Sequence, residues 1–173
     1  GLRYFNVFGK GQSKEYAGVL KLFLERIRDE VPPKINGDGT QFRDFVYVED
    51  VARAIVQAVQ VKTHFTGEFY NVGSGLETSI RQLADILADT IGGSIEPCFI
   101  KEELVGYTHR VMSIERARQS FGYVPETSLS DGIFETLAWV KREGLDQAWM
   151  RDEAEQEGKQ FNVFGGREVR RAA

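Results

Sequence analysis

Apolar positions recur along this chain with two periods, and the alternation between them predicts an α/β order. Leu2 to Val7 is an apolar and aromatic run with the composition of a strand. From about Lys14 to Arg28, Tyr16, Val19, Leu20, Phe23 and Ile27 return at helical spacing. Ser13 is placed to cap that helix, and Gly18 interrupts it at a cost of about 1 kcal/mol relative to alanine. Pro32-Pro33 stops it, and Lys34-Ile35-Asn36 is a short extended piece. Phe45-Val46-Tyr47-Val48 reads as a strand, followed by a helix whose apolar face is Val51, Ala52, Ile55, Val56 and Val59. Glu68 to Val72 is a further strand.

The second half continues the pattern. Ser79-Ile80-Arg81-Gln82 is a capping box, opening a helix that buries Ile80, Leu83, Ala84, Leu87 and Ile91 and ends at Gly92-Gly93. Ile95 to Ile100 is a strand, and Glu102 to Met112 is irregular. Ser113 caps a short helix through Ser120, and Ser128-Leu129-Ser130-Asp131 opens a last one lined by Ile133, Leu137 and Val140, with Trp139 on its flank. Beyond Leu145 the apolar period is lost. Arg151 to Gln160 is rich in Glu and reads as an exposed helix or disorder. The division is therefore 1–144 as one unit and 145–173 as a charged tail. Phe161-Asn162-Val163-Phe164-Gly165 repeats Phe5-Asn6-Val7-Phe8-Gly9 letter for letter, by coincidence, as a terminal artefact or as mimicry of the first strand. No period of 20–50 residues accompanies it.

Composition narrows the class. With 173 residues, 42% apolar and 28% charged, the chain has enough material for one domain core. A net charge of −4 offers no polybasic surface to nucleic acid or an anionic membrane. No apolar run approaches the ~20 residues of a membrane helix, and no signal peptide opens the chain. Cys98, the single cysteine, cannot form an internal disulfide, which suits a reducing cytoplasm; its type reads as a small buried strand residue. His64, in a polar connector, reads as a solvated surface residue. The chain begins Gly1-Leu2-Arg3, without methionine and inside a strand pattern, and so reads as a fragment.

Candidate chemistry centres on Gly37 to Ala52. Gly37-Asp38-Gly39 has turn chemistry, and Arg43 stands between that turn and a strand. A guanidinium there is a plausible seat for phosphate, although an arginine followed by aspartate also reads as a solvated or locally paired surface charge. Asn6 is unusual in a strand and reads equally as a turn cap. Gly73-Ser74-Gly75, between a strand and a helix, invites a phosphate-cradle reading, but the G-x-G-x-x-G spacing fails.

Three blocks, Arg3-Tyr4-Phe5-Asn6-Val7-Phe8-Gly9, Gly37 to Ala52 and Phe69-Tyr70-Asn71-Val72-Gly73-Ser74-Gly75, in this order and spacing, resemble the NAD-dependent epimerase/dehydratase family. These are the extended short-chain dehydrogenases acting on nucleotide sugars, with UDP-glucose 4-epimerase their best-known member. The resemblance covers roughly residues 1 to 143 and implies the C-terminal portion of such an enzyme. It implies an incomplete Rossmann-like fold of late parallel strands with a small α/β substrate-binding lobe. It makes Asn6 and Arg43 substrate residues at the diphosphate, adds Gly18 and Val19 as backbone contacts to the nucleotide, and puts Asn36 where relatives pack an aromatic on the base. Arg110 is a second phosphate candidate, because the family's usual Arg is missing from Leu104-Val105-Gly106-Tyr107-Thr108. Beside it, His109 reads as a neutral surface residue. Tyr4 and Phe5 would line the reactive end of NAD. Expected partners are a nucleotide sugar, a missing N-terminal Rossmann half in cis or trans, and further copies in a homo-oligomer.

The family's chemistry implies a Gly-rich dinucleotide turn and a Tyr-x-x-x-Lys base. Tyr4, Tyr16, Tyr47, Tyr70, Tyr107 and Tyr123 are followed four positions on by Phe8, Leu20, Val51, Ser74, Val111 and Thr127. The expectation is that this chain offers no catalytic residue and no metal site, and does not bind NAD alone.

Overall fold

Leu2 to Val7 does not run as one strand. Leu2–Tyr4 forms β1 and Asn6–Phe8 forms β2, and the two take different partners. β1 lies parallel to β6 (Tyr70–Val72), with Leu2 opposite Tyr70; β2 lies parallel to β5 (Phe45–Tyr47), with Asn6 opposite Phe45. Phe5 is the bend. Its N–H donates to the Val72 oxygen at 3.2 Å and its own oxygen accepts from the Val7 N–H at 2.9 Å, so neither group is orphaned. The computed structural model describes residues 1–12, 18–62, 65–92, 96–101, 109–110 and 113–143. The Ser13 cap, Tyr16, His64, the run Leu104 to Thr108 and the tail from Leu145, with its Phe161 to Gly165 repeat, lie outside them.

β5 is buried on both faces, as expected of a parallel strand. Phe45 and Tyr47 point into one core and Val46 into another. The first core joins them to Phe8, to α1 (Val19–Arg28), to α3 (Ile80–Ile91) and to α5 (Leu129–Arg142). The second joins Val46 to Tyr70, Val72, α2 (Val48–Gln60) and α4 (Glu115–Phe121). β3 (Lys34–Asn36) pairs in parallel with β8 (Cys98–Ile100). β4 (Phe42–Arg43) lies between antiparallel β7 (Thr78–Ser79) and parallel β9 (His109–Arg110). The fold is α/β with parallel strands.

Local signals located most helix ends. Ser79 and Gln82 form both bonds of the capping box that opens α3. The Ser128 hydroxyl accepts the Asp131 N–H at 3.1 Å at the start of α5. Gly92 closes α3 in the left-handed conformation, at φ 79°. Five expectations need correction. α1 starts at Val19 with Gly18 as its N-cap, so Gly18 is not an interior interruption. The buried stripe of α2 is Val51 and Ala54, whereas Ala52, Ile55, Val56 and Val59 are exposed. Ile91 is exposed because the core side of α3 ends on Ala88. Cys98 is exposed on β8. The N-cap position of α4 is Ile114, one residue later than the expected Ser113, whose hydroxyl still accepts from the Glu115 N–H at 3.2 Å.

Polar side chains fasten the elements, Asp50 from a buried position and Lys10 from a more exposed one. Asp50, in the first turn of α2, accepts the Glu126 and Thr127 N–H groups at 3.1 Å each and pairs with Arg53. Lys10, after β2, lies 3.1 Å from both Glu49 of α2 and Glu135 of α5, and those two carboxylates hold its pKa above the ordinary lysine value. Among the described residues, no helix is long and apolar enough to cross a membrane.

Candidate functional site

Arg43 is not a solvated surface charge. It lies in β4, between the Gly37–Gly39 turn and β5, and is only 6% exposed. Its Nη1 donates to the Phe42 oxygen at 2.7 Å. The register of the small sheet puts Arg43 opposite Arg110 of β9 on one side and opposite Thr78 of β7 on the other. Two guanidinium-bearing residues therefore share one register position. Residues 109–110, expected to be irregular, form this third strand, parallel to β4.

Asn6 reaches the same place from β2. Its Nδ2 donates to the Asp44 oxygen at 2.9 Å, and its main-chain N–H donates to the same oxygen at 3.0 Å. Asn6 itself is exposed. One residue, Asp44, thus separates the two strongest substrate candidates of the sequence.

Sequence reasoning missed Asp44 itself. It has no solvent exposure. Its Oδ1 accepts the Ser74 N–H at 2.7 Å and the Ser74 hydroxyl at 2.8 Å; its Oδ2 accepts the Gly75 N–H at 2.8 Å. Gly73 permits the approach: a Cβ there would lie 2.3 Å from Phe5 Cδ2 and 2.6 Å from Asp44 Oδ2. The Tyr123 hydroxyl donates to the Gly73 oxygen at 2.7 Å from the opposite side. Burial, and secondarily the Asp44 carboxylate, push the Tyr123 phenol up to about 12. The only sequence signal was the donor-rich Gly73-Ser74-Gly75 turn, which invited an anion without saying which.

The remaining candidates lie on other elements. Gly18 and Val19 form the start of α1, which has no side-chain cap. Asn36 ends β3, opposite Ile100, and its oxygen accepts from Gln41 Nε2 at 3.1 Å. Tyr4 pairs with Val72 and is 47% exposed. Phe5 packs on the Gly73 turn.

This arrangement of parallel strands matches part of a Rossmann-type fold found in solved epimerases. The UDP-glucuronic acid 4-epimerase of Bacillus cereus, in complex with UDP-glucuronic acid and NAD, superposes with a TM-score of 0.72 at 32% identity, covering 82% of this chain and 45% of that one. The UDP-glucose 4-epimerase of Thermotoga maritima, with UDP-glucose, gives 0.73 at 31%, covering 82% and 45%. The profile of the NAD dependent epimerase/dehydratase family matches residues 1–73. The chain is 39% identical over 141 residues to a putative UDP-glucose 4-epimerase of Methanocaldococcus jannaschii, covering 81% of the chain and 45% of that protein. It is thus a partial-length member of the NAD-dependent epimerase/dehydratase family, resembling its UDP-sugar 4-epimerases. It spans a little under half the length of these relatives.

The Ser74 and Gly75 amides of the turn after β6 are taken by the Asp44 carboxylate and are not open to an external phosphate.

Proposed function

We propose that this chain is the substrate-binding half of an NAD-dependent nucleotide-sugar epimerase, with a UDP-sugar as its ligand. The observation that carries the reading is that Asn6 is bonded to the carbonyl of Asp44, the residue next to Arg43, with Arg110 in register beside Arg43. Relatives whose structures hold UDP-sugars support the nucleotide. Arg43 and Arg110 neutralise the diphosphate, and the Asn6 amide hydrogen-bonds near it. Gly18 and Val19 offer main-chain groups to the nucleotide, and Asn36 lies towards the base. The family's dinucleotide turn and Tyr-x-x-x-Lys base come from a Rossmann half, in cis or in trans. That half holds NAD against Tyr4 and Phe5, and the complete enzyme acts in the cytoplasm as a homo-oligomer.

The test is complementation. Mixing the chain with the N-terminal Rossmann half of a UDP-sugar 4-epimerase should restore NAD-dependent epimerisation, while either part alone stays inactive. Tight NAD binding by the 173-residue chain alone would sink the assignment. A second reading, a nucleotide-sugar-binding or interaction module without catalysis, draws on the tyrosine spacing: none of the six is followed four residues later by lysine. An initiator codon immediately upstream of Gly1 favours it; an upstream reading frame encoding the Gly-rich turn and Tyr-x-x-x-Lys favours the enzyme.

A further inference from the structure

We propose that Asp44 is the positioning residue of this site: as an internal anion it occupies the turn after β6 and so fixes the backbone from which Arg43 and Asn6 act. The proposal rests on reading Asn6 and Arg43 as substrate groups. Three donors converge on the Asp44 carboxylate at 2.7–2.8 Å, and a carboxylate with no solvent exposure needs such partners to stay buried. The main-chain oxygen of the same residue takes both Asn6 donors. Arg43 is its immediate neighbour in the chain, and β5 begins just after it. The side chain is therefore anchored to one element while the backbone presents two others.

The anchor has little freedom. Gly73 has no room for a Cβ against Asp44 and Phe5, and Tyr123 holds the Gly73 oxygen from behind. Both carboxylate oxygens are engaged within the protein, so Asp44 is neither an acid nor a base towards substrate. A turn with the donors of a phosphate nest is used here to lock a carboxylate, and the external anion is left to the arginines.

The test uses the full 173-residue chain with Asp44→Ala, Asp44→Asn and Ser74→Ala. Calorimetry with UDP and with uridine is read beside the Asn6 side-chain amide resonance in ¹⁵N spectra and thermal unfolding. Asp44→Ala should weaken UDP roughly tenfold, the scale of one lost charge-assisted contact, and leave uridine within about twofold. The Asn6 resonance should move. Formate, a carboxylate small enough for the vacated space, should restore both. Asp44→Asn turns an amide donor towards Gly75 and should not be rescued. Ser74→Ala removes one donor and should give a smaller shift of the same kind, which serves if Asp44→Ala fails to fold. Wild-type UDP affinity in a folded Asp44→Ala chain overturns the proposal, as does an unmoved Asn6 resonance in either alanine variant. If the wild type binds neither ligand, the substrate reading fails. The Asn6 resonance then decides alone: movement reversed by formate supports the clamp, and no movement overturns it.

Discussion

Asn6 and Asp44, 38 residues apart in sequence, share one carbonyl oxygen: the amide Nδ2 and the main-chain N–H of Asn6 both donate to the oxygen of Asp44, at 2.9 and 3.0 Å. These two hydrogen bonds tie β2 to the β4–β5 segment beside the buried Arg43. Replacing Asn6 by alanine removes one of the two donors and leaves the other. The expected stability loss is about 1 kcal/mol. Affinity for a nucleotide sugar should fall further than that. Thermal unfolding and calorimetry on the same sample check it; a large unfolding shift with normal binding in the folded fraction would make Asn6 a turn residue only.

Arg43→Ala should weaken UDP by roughly ten- to a hundredfold, since a bidentate charge-assisted contact is worth about 1.5–3 kcal/mol. Because Arg43 is buried, the change also lowers stability, so Arg43→Lys is the sharper probe: it keeps the charge and loses the planar fork. Lysine should recover part of the stability and little of the diphosphate preference, read as the ratio of UDP to uridine affinities.

Tyr123 gives a pH dependence with a definite sign. Its phenol is pushed up to about 12 in the folded chain, against about 10 in the unfolded one. A raised pKa means the folded state holds its proton longer. The associated stability is present in full below about pH 10 and is lost as pH rises towards 12, by about 2 kcal/mol. Tyr123→Phe should flatten that alkaline slope. It should also cost about 1–3 kcal/mol at neutral pH, because the Gly73 oxygen loses its buried donor. Denaturant unfolding at pH 8 and pH 11 separates the two effects.

Gly73→Ala should be severely destabilising although the change adds only a methyl group. The new Cβ would meet Phe5 and Asp44 at 2.3 and 2.6 Å, and both neighbours are already fixed. A circular-dichroism melt should show a lowered midpoint or no transition. A wild-type midpoint would mean that the turn and β1–β2 can move apart.

The features legible in the sequence were local ones. Ser79 with Gln82, and Ser128 with Asp131, are three residues apart, and their geometry follows from the helix alone. Features set by long-range competition were not. Leu2 to Val7 breaks at Phe5 because Val72 and Asp44, from different elements, claim successive amides. The two apolar stripes of α2 look alike in sequence, and only the sheet decides that Val51 and Ala54 face inward. Cys98 was misjudged because residue type says nothing about where the small β3–β8 sheet exposes its edge. Arg43, Asn6 and Arg110 were legible as candidates because their positions match the family's motifs. Asp44 did not, since its partners Ser74 and Gly75 are 30 and 31 residues away.

The central claim, that Arg43 and Asn6 form a diphosphate site for a nucleotide sugar, is tested most directly by titrating the chain with UDP and with uridine in one calorimetric series. The expected result is UDP binding tighter than uridine by roughly ten- to a hundredfold, an advantage abolished by Arg43→Ala. Equal affinities for the two, or a UDP preference that survives Arg43→Ala, would contradict it.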